Sequence, residues 1–226
     1  MSRSRRLGML VPSSNTILEP VTVGLLPPDG SVTAHVSRLR VLRIADDDST
    51  QSQFDVEPML QAADLLADAK VDLILWNGTA AGWLGFARDE AITTTIAART
   101  GIPATTAVIA LNQRLQDLGA RRIGLVTPYV ADIECQIIAN YHAIGIEIVA
   151  AARADRTDNA SFADITPDEV AAMVRRVAVA PLDAILILCT NMAGAPVATA
   201  LTAELGIPVL DSVVVAVEHS LARLAA

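Results

Sequence analysis

Short runs of aliphatic and β-branched residues alternate along this chain with longer stretches in which apolar positions recur every three to four residues. That is the pattern of buried strands separated by amphipathic helices. The runs predict strands over residues 7–11, 32–44, 71–76, 103–106, 123–127, 146–152, 184–188 and 208–210. The periodic stretches predict helices over residues 56–69, 89–99, 108–118, 131–143, 167–179, 195–205 and 213–224. Two of these helices carry start signals, Thr166 followed by Pro167 and Glu169, and Asp55 followed by Glu57. Alternation of this kind defines an α/β protein with mostly parallel sheets, and no Gly- or Ser-rich linker cuts it into independent units.

The pattern repeats within the chain. Arg6-Leu7-Gly8-Met9-Leu10-Val11-Pro12 recurs as Arg122-Ile123-Gly124-Leu125-Val126-Thr127-Pro128. Val71-Asp72-Leu73-Ile74-Leu75-Trp76-Asn77-Gly78-Thr79 recurs as Leu182-Asp183-Ala184-Ile185-Leu186-Ile187-Leu188-Cys189-Thr190, which aligns Gly78 with Cys189. Gly101-Ile102-Pro103 recurs as Gly206-Ile207-Pro208. Three matches in one order predict two similar lobes related by a pseudo-two-fold axis. The expected division is residues 1–106 with 212–226 for the first lobe and 107–211 for the second.

Open parallel sheets bind ligands beyond the carboxyl ends of their strands. The repeated ends carry Pro12-Ser13-Ser14-Asn15-Thr16, Asn77-Gly78-Thr79-Ala80, Thr127-Pro128-Tyr129 and Cys189-Thr190-Asn191, and facing lobes would gather all four into one cleft. Trp76, Trp83 and Tyr129 stand on or near these loops in a chain with only 3% aromatic residues, as a shaped small-molecule pocket requires. Cys189 closes an apolar run ahead of a helix, where its ionisation can be tuned. A lone cysteine in an α/β core is ordinarily a small buried hydrophobe, but this one sits at a repeated strand end. Ser13, Ser14, Asn15, Thr79, Thr190 and Asn191 offer neutral donors suited to carboxylates and to an enediolate, although Ser14 or Asn15 equally suits a helix cap. Tyr129 could serve the same oxyanion, and Asn159 would join them only if its polar loop folds over the cleft. Cys135, on a helix after Asp132 and Glu134, has no such setting and reads as structural.

Composition narrows the classes. In 226 residues, 52% hydrophobic and with mean hydropathy +0.44, Asp, Arg or Pro interrupts every apolar run well short of the roughly 18 residues a spanning helix needs. The excess hydrophobicity belongs to a core. Ser2 to Arg6 are basic, but the apolar stretch after them stops at Pro12, too short for a signal peptide, so a cytoplasmic protein is expected. Seventeen basic residues, all Arg but Lys70, are scattered among 25 acidic ones for a net charge of −8, which speaks against nucleic acid as a partner. Two cysteines and three separated histidines form neither a disulfide framework nor a metal cluster. Nucleotide fingerprints and a Ser-His-Asp set are absent from the sequence, and Lys70 ends a helix away from the cleft. Catalysis is therefore expected to need no cofactor.

The motifs Gly8-Met9-Leu10-Val11-Pro12-Ser13-Ser14-Asn15-Thr16, Asn77-Gly78-Thr79, Thr127-Pro128-Tyr129, Asp158-Asn159 and Cys189-Thr190-Asn191, in this order, resemble the aspartate/glutamate racemase superfamily. The closer likeness is to its arylmalonate decarboxylase and maleate isomerase branch. The resemblance spans essentially the whole chain. It implies two pseudo-symmetric Rossmann-like (flavodoxin-like) lobes with parallel sheets and an active-site cleft between them. It also implies two catalytic positions on opposite faces of the substrate, cysteine at both in racemases and maleate isomerases. Here the second is Cys189 and the first is Gly78, as in arylmalonate decarboxylases.

Racemisation by opposed thiols needs both, so the resemblance points first to decarboxylation, with Cys189 protonating one face of an enediolate. Thr79 and Tyr129 match oxyanion-hole positions, whereas Ala80 replaces a serine of the decarboxylase. Asn15, Tyr129 and Asn159 match the carboxylate-holding positions of maleate isomerase, which keeps an isomerase or racemase as the alternative. The implied catalytic set is Cys189, Tyr129 and Thr79, and the substrate-binding set is Ser13, Ser14, Asn15, Gly78, Ala80, Asn159, Thr190 and Asn191. A small-acid-binding protein without turnover is the reading from another class. The expected partner is a small carboxylate or dicarboxylate, with no nucleic acid and no membrane, and a homo-oligomer is left open.

Overall fold

The computed structural model describes residues 3–45, 52–179 and 181–225; Ser2 of the basic start and Ala226 of the last segment lie outside them. Among the described residues, eight parallel strands form two sheets of four. The first contains β1 (Arg5–Pro12), β2 (Val32–Leu39), β3 (Leu73–Trp76) and β4 (Ala104–Thr106) in the order β2-β1-β3-β4. The second contains β5 (Arg122–Thr127), β6 (Glu147–Arg153), β7 (Ala184–Ile187) and β8 (Val209–Asp211) in the order β6-β5-β7-β8. The repeat read from the sequence thus holds strand for strand. The registers agree as well: β1 sets Leu10 beside Trp76, and β5 sets Val126 beside Ile187.

The helices are α1 (Leu18–Leu25), α2 (Val56–Asp68), α3 (Ala81–Leu84), α4 (Ala87–Thr100), α5 (Ala107–Asp117), α6 (Ala131–Ala143), α7 (Pro167–Val177), α8 (Ala195–Leu205) and α9 (Ser212–Ala225). β1, β3, β5 and β7 are buried on both faces, which is why they read as continuous apolar runs rather than alternating ones. The repeated Gly-Ile-Pro has a common cause. Gly101 and Gly206 take left-handed φ values of 71° and 66° at the ends of α4 and α8, where a side chain would be strained. Thr166 and Glu169 form a full capping box on α7. Asp55 stands at the start of α2 without a side-chain cap, so that start signal marked the position but not the bond.

Two expectations need correction. The run over residues 32–44 is not one strand: β2 stops at Leu39, and residues 41–44 leave the sheet. Helix α1 is not among the predicted helices, although Ser14 or Asn15 suits a cap; it forms with Pro20 in its first turn, where a missing N–H costs nothing.

The lobes are joined by packing as well as by chain. α9 packs on α5 and α1 and touches both β3 and β8, while α3 packs on α6. Near this junction Asp89 of α4 is 2% exposed and accepts a hydrogen bond from the Thr106 hydroxyl, and burial pushes its carboxyl up to about 7. An acid whose pKa is higher folded than unfolded stabilises the fold most below about pH 4, and that contribution is lost as pH rises through about 7. Asp89→Asn keeps an acceptor for Thr106 and removes the titration. It is expected to raise the melting temperature at pH 8 and to shrink the fall in stability between pH 5 and pH 8. An unchanged pH profile in calorimetry would assign that fall to other groups.

Candidate active site

Strand ends from both lobes meet at a small cavity of about 20 Å³ lined by Pro12, Val41, Ile44, Phe54, Gly78, Thr79, Ala80, Trp83, Tyr129, Asn159, Cys189 and Thr190. Among the predicted residues, Cys189, Tyr129, Thr79, Gly78, Ala80, Asn159 and Thr190 therefore share one wall system. Ser13, Ser14, Asn15 and Asn191 do not line it. They stand behind it and tie the loops together. A larger cavity of about 400 Å³ between α4, α5 and the turn before β5 contains none of the predicted site residues.

The loop ties cross from lobe to lobe. Asn15 accepts at Oδ1 from the N–H groups of Ile17 and Leu18, capping α1, while its Nδ2 donates to Thr190 Oγ1 (3.1 Å). Thr190 in turn donates to the Asn77 carbonyl (2.9 Å). Asn191 donates to the Asn159 carbonyl (2.6 Å) and accepts from the Thr16 N–H (3.1 Å). Asn159 donates to Ser14 Oγ (2.7 Å), and Ser14 donates to the Val41 carbonyl (2.6 Å). Ser13 Oγ accepts from the Val41 N–H (3.2 Å). Almost every hydrogen-bonding group in this layer is satisfied by another loop, so the layer positions the wall and carries little free capacity of its own.

The thiol is 3% exposed at the end of the second copy of the strand, and its sulfur accepts from the Asn191 N–H (3.4 Å). Burial pushes it up to about 12, partly offset by the Asn191 N–H and the Tyr129 hydroxyl, with the charge of Asp211 adding to the rise. At neutral pH Cys189 therefore keeps its proton. Asp211 ends β8 and caps α9 through Oδ1, which accepts from Val213 and Val214, and burial pushes its own carboxyl up to about 6. Tyr129 is held well above its ordinary range by burial first and by Cys189 second. Its hydroxyl lies 2.9 Å from Thr79 Oγ1, so one hydroxyl from each lobe meets beside the sulfur. Trp83 packs edge-on against Tyr129 and Phe54, and Tyr129 packs edge-on against Phe162, which fixes the phenol.

Gly78, aligned with Cys189 in the repeat, shares the cavity wall with it. A Cβ there would lie 2.1 Å from Cζ2 of Trp76, so the indole occupies the space that a first thiol would need. Among the described residues no cluster of His, Cys, Asp and Glu could hold a metal ion, and no helix is long and apolar enough to cross a membrane. Cys135 is exposed on α6, away from the cavity.

Sequence reasoning missed the residues that roof the cavity. Residues 41–44 run beside 157–159 of the other lobe, where the backbones of Arg43 and Asp158 pair as an isolated antiparallel β-bridge, Ile44 N–H donates to the Thr157 carbonyl (2.8 Å) and Asn159 N–H donates to the Leu42 carbonyl (2.9 Å). Gln53 stiffens this clasp: its Oε1 accepts from the Leu42 N–H (2.7 Å) and its Nε2 donates to the Arg43 carbonyl (3.0 Å). A cavity of about 20 Å³ has room for roughly one water. Gln53→Ala is expected to accelerate amide exchange at Ile44 and Asn159 severalfold while exchange in β1 stays as it was. Unchanged exchange at both would remove Gln53 from the clasp.

Two α/β lobes thus bring a buried cysteine and a mutually hydrogen-bonded pair of hydroxyls, one from each lobe, to a single cavity at their junction. The profile of the family described as arylmalonate decarboxylase matches residues 7–225, and the chain belongs to that family. Maleate isomerase of Geobacillus stearothermophilus is 27% identical over 227 residues, covering 94% of this chain and 88% of that enzyme. The structure of Nocardia farcinica maleate cis-trans isomerase bound to TRIS is 25% identical with a TM-score of 0.89, covering 98% of this chain and 92% of that one. The liganded Gly74Cys-Cys188Ser mutant of arylmalonate decarboxylase shares the fold at 22% identity and a TM-score of 0.85, covering 98% of this chain and 93% of that one.

Proposed function

We propose that this chain binds a small dicarboxylate between its lobes and interconverts cis and trans forms of a maleate-like substrate, with Cys189 forming and breaking the bond to carbon. The observation that carries this reading is the meeting of one thiol with a hydroxyl from each lobe at a single interlobe cavity. The sequence reading put decarboxylation first because Gly78 removes one of two thiols; the comparisons favour its alternative, since the similar proteins of Geobacillus and Nocardia are named maleate isomerases. A structure of a Pseudomonas putida enzyme of that name contains maleate.

One thiol is chemically sufficient for isomerisation. The sulfur adds to one alkene carbon, and the π pair moves into an enediolate on the neighbouring carboxylate, where Thr79 and Tyr129 donate to it. The thiol proton passes to that enediolate as the C–S bond forms. Rotation about the resulting single bond, return of the proton and cleavage of C–S then regenerate the alkene in the other geometry, with no net oxidation and no proton consumed. Racemases and maleate isomerases carry a second thiol at the position of Gly78, so in this sequence of steps Cys189 alone would supply both the nucleophile and the proton.

The protonated state of Cys189 favours a second reading, in which a bound malonate loses CO2 and the thiol protonates the enediolate left behind. Proton NMR in D2O separates the two. Maleate turning into fumarate supports isomerisation; a substituted malonate yielding an acid with deuterium at the α-carbon supports decarboxylation. Saturable maleate binding with neither product would overturn both and leave a binding protein.

A further inference from the structure

The cavity of about 400 Å³ between α4, α5 and the turn before β5 shares no lining residue with the interlobe cavity. Much of its wall is apolar, with Phe86, Val108 and Ile109 of α5, and Ile144 and Ile146 from the segment before β6. Into this setting α4 brings the carboxyl of Asp89, which is 2% exposed. The Thr106 hydroxyl takes one of its oxygens, and among the described residues no other donor reaches it. The neighbouring Arg88 is turned instead to the Phe54 carbonyl (2.7 Å), so the acid has no ion-pair partner among the described residues. From α5 comes a second acceptor without a donor, the buried Oδ1 of Asn112. Buried acceptors are ordinarily satisfied and buried carboxylates ordinarily paired, and the cavity that both residues line has the size of a small-molecule site.

We propose that this cavity is a second ligand site, for a small organic ammonium ion with an apolar body: its N–H groups donate to the free oxygens of Asp89 and Asn112 while its carbon skeleton lies against Phe86, Ile109 and Ile146. A cation is the favoured occupant because it supplies donors and offsets the buried charge at once. An anion would meet two acceptors, and a hydrocarbon would leave both unsatisfied. The other charged lining residues, Glu90 and Arg121, are exposed and opposite in sign, so Asp89 decides the charge at the buried end. The same carboxyl makes binding proton-linked. Burial holds it at about 7, so about one-tenth is ionised at pH 6 and about nine-tenths at pH 8, and a ligand that stays cationic throughout binds about tenfold tighter at pH 8. Arg88 and Glu90 flank Asp89 on α4, and Arg121 faces the cavity from the turn before β5. The residues of α3, β4 and the lining part of α5 are uncharged, and Arg99 with its acidic partners Glu57 and Asp64 of α2 stands near the far end of α4.

The test is phenethylamine added to the native chain, followed by amide NMR shifts and by calorimetry at pH 6 and pH 8, with phenylacetate and 2-phenylethanol as anionic and neutral probes of similar shape. Phenethylamine is expected to bind with a Kd at or below about 1 mM at pH 8, to shift the signals of Asn112, Gly119 and Ala120, and to lose about tenfold in affinity at pH 6. The other two probes are expected to bind at least about tenfold more weakly. Asp89→Asn, which keeps the acceptor for Thr106, should weaken the amine at least about tenfold and remove the pH dependence of its binding. If that variant does not fold, Asn112→Leu takes away the second acceptor and should weaken binding severalfold with the pH dependence kept. No saturable binding of phenethylamine, equal binding of the three probes, or shifts confined to residues outside the cavity would overturn the site. An affinity that responds neither to pH nor to Asp89→Asn, or that Asn112→Leu leaves unchanged, would overturn the two oxygens as the ammonium's partners and with them the ligand class.

Discussion

Cys189→Ala is expected to lower turnover by at least about 10²- to 10⁴-fold, the range a positioned proton-transfer group typically contributes, and to leave the affinity for a dicarboxylate within a few fold. The reason lies in how the site divides its work. The thiol is buried and protonated, with the Asn191 N–H on its sulfur and the Tyr129 hydroxyl nearby, whereas Thr79, Tyr129, Asn159 and Thr190 line the same cavity as neutral polar groups. On the proposed reading, removing the sulfur takes away the group that bonds to carbon or delivers the proton and spares the neutral groups proposed to hold carboxylate oxygens. The cost to folding is small, since alanine leaves a void of about one atom. Cys135→Ala is the control: it lies exposed on α6 and should change nothing. A Cys189→Ala protein with more than about a tenth of native kcat would exclude the thiol from the chemistry.

Much of this arrangement was legible in the sequence because duplication writes the same physical requirement twice. The apolar runs of β1 and β5, the left-handed glycines after α4 and α8, and the aligned strand ends at Gly78 and Cys189 all recur in order. What was not legible is set by contacts between the lobes. Residues 41–44 are apolar enough to extend β2, and nothing in their own pattern tells that Asp158 and Asn159, rather than a sheet neighbour, supply their hydrogen-bond partners. Trp76 was visible as an aromatic near the site. That its ring turns back over Gly78 depends on side-chain direction, which periodicity does not encode. Asn15 illustrates the reverse case, since one side chain both caps α1 and reaches the other lobe, so the capping and the site readings were never exclusive.

The paired hydroxyls of Thr79 and Tyr129 give the other large effect, and they allow folding and catalysis to be read apart. Each is buried, and at 2.9 Å each is the other's partner. Thr79→Val or Tyr129→Phe alone leaves one buried hydroxyl without that partner, a loss of about 1–3 kcal/mol in stability. Replacing both removes the unpaired group, so the double variant should be more stable than the sum of the single losses implies. Phenylalanine keeps the edge-on contacts with Trp83 and Phe162, so the aromatic frame survives the substitution. Catalysis should not recover in the same way. If these hydroxyls donate to charge that develops on the enediolate, each single variant loses about 10²- to 10³-fold in kcat with little change in KM, and the double variant is no faster than the slower single one. Recovery of kcat together with stability would mean that the hydroxyls only brace the cavity. A rise in KM at constant kcat would mean that they grip the ground state as tightly as the transition state, and the enediolate would then have to be held by the backbone N–H groups of the strand-end loops.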